Sequence, residues 1–247
     1  MNSYCLTDTG LVRKHNEDSV LINKNLNNDY LLVVADGMGG HRAGDVASAI
    51  CIDIIGKAWS KVEGFKDRKE ALKWLNSIFM KVNQHILDYA NDNEDCLGMG
   101  TTLTVALVFE DYTVIGHVGD SRCYVLTKKM MHQITTDHSL VNHLIKTKEI
   151  TEEEAQFHPK KNVLMKAVGT NRSLEVDYFD FKNDYCSILL CSDGLTNLLT
   201  NEEIFDILVN HKTTEFRVDR LVNSAKDKGG YDNISVALLE VGEFKDA

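Results

Sequence analysis

The stretch TLTVALVF (Thr102–Phe109), followed by TVIGHV (Thr113–Val118), CYVL (Cys123–Leu126) and MHQIT (Met131–Thr135), decides the fold class. Each run is short and rich in β-branched or aromatic residues, and polar turn residues such as Glu110-Asp111 and Gly119-Asp120-Ser121 separate them. Spacing this close leaves no room for a crossover helix, so it predicts antiparallel hairpins rather than βαβ units.

Helical patterns flank this β-rich middle. Ala43, Val46, Ala47, Ile50, Ile54 and Ala58 recur at i, i+3, i+4 spacing, as do Leu75, Ile78, Phe79, Val82, Ile86 and Tyr89; both sets predict the buried face of an amphipathic helix. Downstream, one helical stretch is expected at about 138–156, where Thr151 and Glu154 have capping-box spacing. Thr200 and Glu203 repeat that signature, a helix at about 215–228 follows, and a strand at 234–241 closes the chain. Helices and strands come in blocks, which predicts an α+β layered sandwich of antiparallel sheets covered by helices.

Composition narrows the function classes. With 247 residues, one proline and no repeat or linker, residues 1–247 read as a single domain. Twenty-seven basic against 37 acidic residues give a net charge of −10, which argues against general affinity for nucleic acid or anionic membranes. No apolar run approaches the ~18 residues of a membrane span, and Met1-Asn2-Ser3-Tyr4-Cys5 does not begin an export signal. Six cysteines without CxxC spacing predict neither a zinc site nor a disulfide framework, and a cytoplasmic setting is expected.

The chemistry lies in acids at the ends of apolar runs. Leu31-Leu32-Val33-Val34 leads into Asp36-Gly37, and Ile188-Leu189-Leu190-Cys191 leads into Ser192-Asp193-Gly194. Asp232-Asn233 precedes Ile234-Ser235-Val236-Ala237-Leu238, and Asn16-Glu17-Asp18 forms a fourth acidic segment. One Asp-Gly after a strand is ordinarily a turn. Several carboxylates gathered at one sheet edge, however, cannot all remain ionised without a cation, and an all-oxygen donor set favours Mg²⁺ or Mn²⁺ over zinc. Two such ions can activate water for attack on phosphorus.

Eight motifs in order carry a family resemblance. Thr7–Asp18 resembles the opening motif of the metal-dependent PPM/PP2C-type protein serine/threonine phosphatases. The match continues through Val34–His41, Met99–Thr102, His117–Arg122, Thr136–Leu140, His158–Leu164, Ser192–Leu195 and Gly230–Ser235. It spans about 7–240 and resembles the bacterial branch. The resemblance implies a four-layer α-β-β-α sandwich with two antiparallel sheets, and hydrolysis of phosphoserine and phosphothreonine on proteins by direct attack of a metal-activated water. It implies Asp36 as the carboxylate bridging two Mn²⁺ or Mg²⁺ ions, the Gly37 carbonyl on the second ion, and Asp193 and Asp232 as further ligands. Asp120 with Asp193 resembles the holder of a third ion, Arg13 the phosphate-binding arginine, and about 138–166 a mobile flap.

Adjacent residues in an extended segment face opposite sides, so one of Glu17 and Asp18 faces the metals; the resemblance favours Asp18, with Glu17 the alternative. The general acid stays open. Met38 stands where eukaryotic members carry histidine, leaving His41, His158 and a metal-bound water. Asp45, Met165 and Lys166 are milder departures from the family pattern. Cys191 is not a tyrosine-phosphatase nucleophile, because Asn197 stands where a Cys-x5-Arg loop needs arginine. In a bacterium, the resemblance also implies a cognate serine/threonine kinase as functional partner. The rival reading is a phosphoprotein-binding pseudophosphatase, which predicts the loss of a metal carboxylate; Asp36, Asp193 and Asp232 are all present.

Overall fold

The computed structural model describes residues 1–39, 43–210 and 213–242. In chain order the elements are β1 (Ser3–Asp8), β2 (Asp18–Lys24), β3 (Tyr30–Met38), α1 (Ala43–Trp59), α2 (Arg68–Asp92), β4 (Gly100–Thr101), β5 (Leu103–Val108), β6 (Tyr112–Val118), β7 (Arg122–Leu126) and β8 (Met131–Gln133). Then follow α3 (Leu140–Lys146), α4 (Glu152–Gln156), β9 (Asp177–Lys182), β10 (Ser187–Cys191), α5 (Asp193–Thr196), α6 (Asn201–Asn210), α7 (Thr214–Asp227) and β11 (Ile234–Glu240). The strands form two antiparallel sheets. One runs β2-β3-β5-β6-β9 with β4 appended to β3, and the other runs β1-β11-β10-β7-β8.

Alternation along the central strands builds the layers. In β3, Leu31, Val33 and Ala35 face a core shared with α1 and α2, while Tyr30, Leu32 and Val34 face the other sheet. In β10 and β11, Ile188, Leu190, Ala237 and Leu239 meet them between the sheets, and Leu189, Cys191, Val236 and Leu238 pack under α6 and α7. A strand buried on both faces must be apolar at every position, which is why these segments read as unbroken hydrophobic runs. The result is helices, sheet, sheet, helices, as expected.

Three expectations change in detail. The helix at about 138–156 is two short helices, because the chain turns at Lys148 in a left-handed conformation (φ 61). The Thr151–Glu154 capping box is present and opens α4. In α1 the buried stripe is Ala43, Ala47, Cys51, Ile55 and Trp59, so Val46, Ile50, Ile54 and Ala58 only flank it. Tyr89 sits at the exposed edge of α2, and Ala90 is buried instead. No helix among the described residues is long and apolar enough to cross a membrane.

Candidate metal and phosphate site

Antiparallel register brings the acids together. Asp18 opens β2 directly opposite Asp36 near the end of β3. β6 ends opposite the start of β5, so the Gly119–Ser121 turn lies at that same edge. In the second sheet, Cys191 at the end of β10 pairs with Val236 near the start of β11 and with Arg122 at the start of β7. Asp120, Asp193 and Asp232 therefore emerge at one edge of that sheet. The Ser192 hydroxyl bridges the sheets, donating to Asp18 Oδ2 at 2.7 Å.

Asp36-Gly37 is not a turn. β3 runs on through Met38 because β4 pairs Gly37 with Thr101 and Met38 with Gly100. The Asp36 N–H donates to Thr102 Oγ1 at 3.0 Å, and its carbonyl accepts from the Thr102 N–H at 2.8 Å. Gly37 is required for a close approach: a Cβ there would lie 2.1 Å from the Gly44 carbonyl oxygen and 2.6 Å from that of Glu17. The start of α1 is thereby seated directly on β3.

Asn233 shapes the loop that carries Arg13. Its amide group donates to the carbonyls of Thr9 and His15 at 2.9 and 3.0 Å, and its Oδ1 accepts from the Glu17 N–H at 2.8 Å. This pins the loop from Thr9 to Glu17 onto the start of β11 and sets Arg13 at the cluster, with its guanidinium 2.8 Å from Asp232 Oδ2. Asp193 opens α5, and Asn197 donates to its Oδ2 at 2.9 Å.

Electrostatically Asp18, Asp36, Asp120 and Asp193 act on one another. Burial, then the charges of Asp193 and Asp232, push Asp18 up to about 7 against the hydrogen bonds from Ser192 and Ser235. Asp36 is held well above the ordinary carboxylate range by burial and by Asp18, Asp193, Asp120 and Asp232. Asp120 rises to about 8, through burial and then Asp193 and Asp137. Asp193 is raised by burial and Asp232, with a hydrogen bond from Asp36 acting in the opposite direction. Asp18 is the most enclosed, and its Oδ1 is buried with no hydrogen-bond partner. An orphaned carboxylate oxygen within an all-oxygen acidic cluster fits a hard divalent cation. Among the described residues, no three His, Cys, Asp or Glu side chains close around a single point as a ready-made cage. Mg²⁺-type sites suit that arrangement, since they keep several waters and take few direct carboxylates.

Of the adjacent pair, Asp18 joins the cluster. Glu17 rests on the start of α1, where a Cβ at Gly44 would lie 2.5 Å from its carboxylate, and it feels Arg13, Asp45 and Asp232 from the rim of the cluster. His158 accepts from the Lys160 N–H within its own loop, and among the described residues no hydrogen bond or ion pair joins it to the aspartates. His41 lies outside the described residues. Next to Asp120 and Asp193 opens a cavity of about 500 Å³, lined by Val141, Asn142 and Lys161 from the expected flap region and by Thr196 and Thr200 after α5 begins. Ser192, Asn233 and Asn197 were the supports that sequence reasoning missed. All three adjoin the acids in sequence or by one helical turn, which is the signal that could have marked them.

A family model described as protein phosphatase 2C matches residues 12–230. The chain is 42% identical over 242 residues to a serine/threonine phosphatase stp of Listeria monocytogenes, covering 97% of this chain and 96% of that protein. It is 37% identical over 241 residues to the protein phosphatase PhpP of Streptococcus pneumoniae, covering 96% of each. Among solved structures, the serine/threonine phosphatase Stp1 from Staphylococcus aureus superposes with a TM-score of 0.92 at 40% identity, covering 98% of this chain and 95% of that one. The catalytic domain of the serine threonine protein phosphatase PstP, in complex with two manganese ions, gives 0.86 at 33% identity and covers 98% of each chain. The chain belongs to the protein phosphatase 2C family.

Proposed function

We propose that this chain hydrolyses phosphoserine and phosphothreonine on proteins, with the whole chain acting as one catalytic domain. Membership in the protein phosphatase 2C family makes it a metal-dependent serine/threonine phosphatase. The observation that carries the detailed reading is the convergence of Asp18, Asp36, Asp120, Asp193 and Asp232 from separate segments, with Arg13 beside them.

Asp36, which feels the charge of all four other aspartates, would serve both of two ions, Mn²⁺ or Mg²⁺, and the Gly37 carbonyl, Asp193 and Asp232 would be the further groups that hold them. Asp18 would contribute its unpartnered Oδ1 directly or through water, and Asp120 with Asp193 would hold a third ion. When bound, such ions lower the pKa of a water toward neutrality and offset charge on phosphoryl oxygens. The protein side supplies placement. Arg13, more than half exposed, swings from Asp232 to grip two phosphate oxygens with its planar fork and aligns phosphorus for in-line attack. Asn233 and the Thr9–Glu17 loop fix where that arginine starts. No side chain is assigned as general acid.

The rival phosphoprotein-binding module requires a missing carboxylate, and none is missing. A cognate bacterial serine/threonine kinase as functional partner, and a cytoplasmic setting, complete the proposal. Six unpaired cysteines support a reducing compartment, and the net charge of −10 supports no nucleic-acid role. The test is phosphate release from phosphothreonine and phosphotyrosine peptides with Mn²⁺, Mg²⁺ or EDTA. Release from phosphothreonine alone, abolished by EDTA, is expected; no release under any metal overturns the reading.

A further inference from the structure

Asp120 sits on a turn anchored on one side through Ser121, whose Oγ lies 2.8 Å from Thr102 Oγ1 and whose carbonyl accepts from the Thr104 hydroxyl at 3.3 Å. Gly119 adopts a positive φ of 113°, and a Cβ there would lie 2.5 Å from the Thr102 Cβ, so the turn is open to glycine alone. His138, from the segment after β8, grips this glycine at both backbone atoms. The His138 N–H donates to the Gly119 carbonyl at 2.7 Å, and the Gly119 N–H donates to His138 Nδ1 at 3.1 Å. Because Nδ1 accepts, the ring proton sits on Nε2, which stands 3.2 Å from Asp177 Oδ2, near enough for attraction but off the line of a good hydrogen bond. The ring also packs on His117 with centroids 4.9 Å apart, and His117 is itself held between Thr104 and Thr136.

The same residue ties the turn to the flap region. The His138 carbonyl accepts from the Met165 N–H at 2.8 Å, Leu140 N–H donates to Val163 at 2.8 Å, and Ser139 bridges Leu164. One residue earlier, Asp137 takes two hydrogen bonds from Arg122 Nε and a third, 2.7 Å, from Arg122 Nη2. Asp137 and His138 thus hold the chain on both sides of Asp120, at Arg122 and at Gly119, while His138 also holds the returning arm of the flap.

We propose that His138 is a positioning residue that fixes the Asp120 carboxylate against Asp193 and makes cation binding there depend on how the flap is seated. This rests on the reading of Asp120 and Asp193 as holders of an ion. A histidine that only filled space would change stability without changing the ion sites selectively.

Calorimetric titration of Mn²⁺ into the intact chain tests it, using His138→Ala, His138→Gln and His138→Asn, each alone and combined with Asp120→Asn. Asparagine places its Oδ1 where Nδ1 accepts; glutamine does not. His138→Ala and His138→Gln are expected to weaken the Asp120-dependent binding step by about 10- to 100-fold, as loss of a ligand's supporting partner does. His138→Asn should remain close to wild type. In the Asp120→Asn background, His138→Ala should leave the remaining ion sites unchanged. The proposal is overturned if asparagine fares as badly as glutamine, or if the remaining sites weaken equally in that background. Should alanine fail to fold, the glutamine–asparagine comparison decides. Because binding is read without turnover, the proposal is separable from the phosphatase reading, which fails instead if the wild type releases no phosphate.

Discussion

Withdrawing cations should make stability fall as pH rises, the reverse of ordinary acid denaturation. Asp18 is only 6% exposed and is raised to about 7, whereas an unfolded aspartate ionises near 3.9. Between those values the folded chain keeps a proton that the unfolded chain releases, so ionisation favours unfolding as pH climbs. The stabilisation is whole below about pH 4 and lost as pH passes through about 7. A rise of roughly three pH units at 1.36 kcal/mol each caps the loss from Asp18 at about 4 kcal/mol. Asp120, raised to about 8, carries the decline further. Bound Mn²⁺ supplies the missing charge, so its protection should be greatest at the alkaline end. The assay is urea unfolding at pH 5 to 8, in EDTA and in Mn²⁺. Asp18→Asn should flatten the EDTA profile and leave the metal-free protein more stable than wild type at pH 8, while weakening Mn²⁺ binding. An EDTA-treated wild type as stable at pH 8 as at pH 5, with Asp18→Asn unchanged, refutes the reasoning.

Arg13→Ala should lower kcat/KM on a phosphothreonine peptide by about 10²–10³, the usual cost of a lost oxyanion donor, with Mn²⁺ affinity and melting temperature little changed because its pair with Asp232 is exposed. Arg13→Lys should recover only part of that loss, since an ammonium cannot reproduce the planar fork. Gly37→Ala should destabilise the fold by about 2–3 kcal/mol by urea unfolding and weaken Mn²⁺ binding, because a Cβ 2.1 Å from the Gly44 carbonyl forces α1 off β3.

The layered architecture was legible because β3, β10 and β11 are buried on both faces and announce themselves as apolar runs. β2 and β9 carried no such signal: β9 alternates half-buried and exposed positions along Asp177–Lys182, and β2 is mostly half-buried. The gathering of the acids could be read from their places at strand ends. The continuation of β3 through Asp36-Gly37 could not, because it depends on pairing with Gly100 and Thr101, more than sixty residues away. Local propensity reads Asp-Gly as a turn, and tertiary pairing overrides it. The choice between Glu17 and Asp18 was likewise closed to sequence. Alternation says that one faces inward, but which one depends on the register of β2 against β3 and on Ser192 reaching across from the other sheet.

The central claim is that hydrolysis depends on the carboxylate cluster centred on Asp36. The most direct test compares phosphate release from a phosphothreonine peptide in saturating Mn²⁺ between wild type and Asp36→Asn, with folding of both confirmed by their unfolding curves. The account predicts vigorous release by the wild type and loss of at least three orders of magnitude in the folded variant. A folded Asp36→Asn protein that hydrolyses the peptide at the wild-type rate would contradict it.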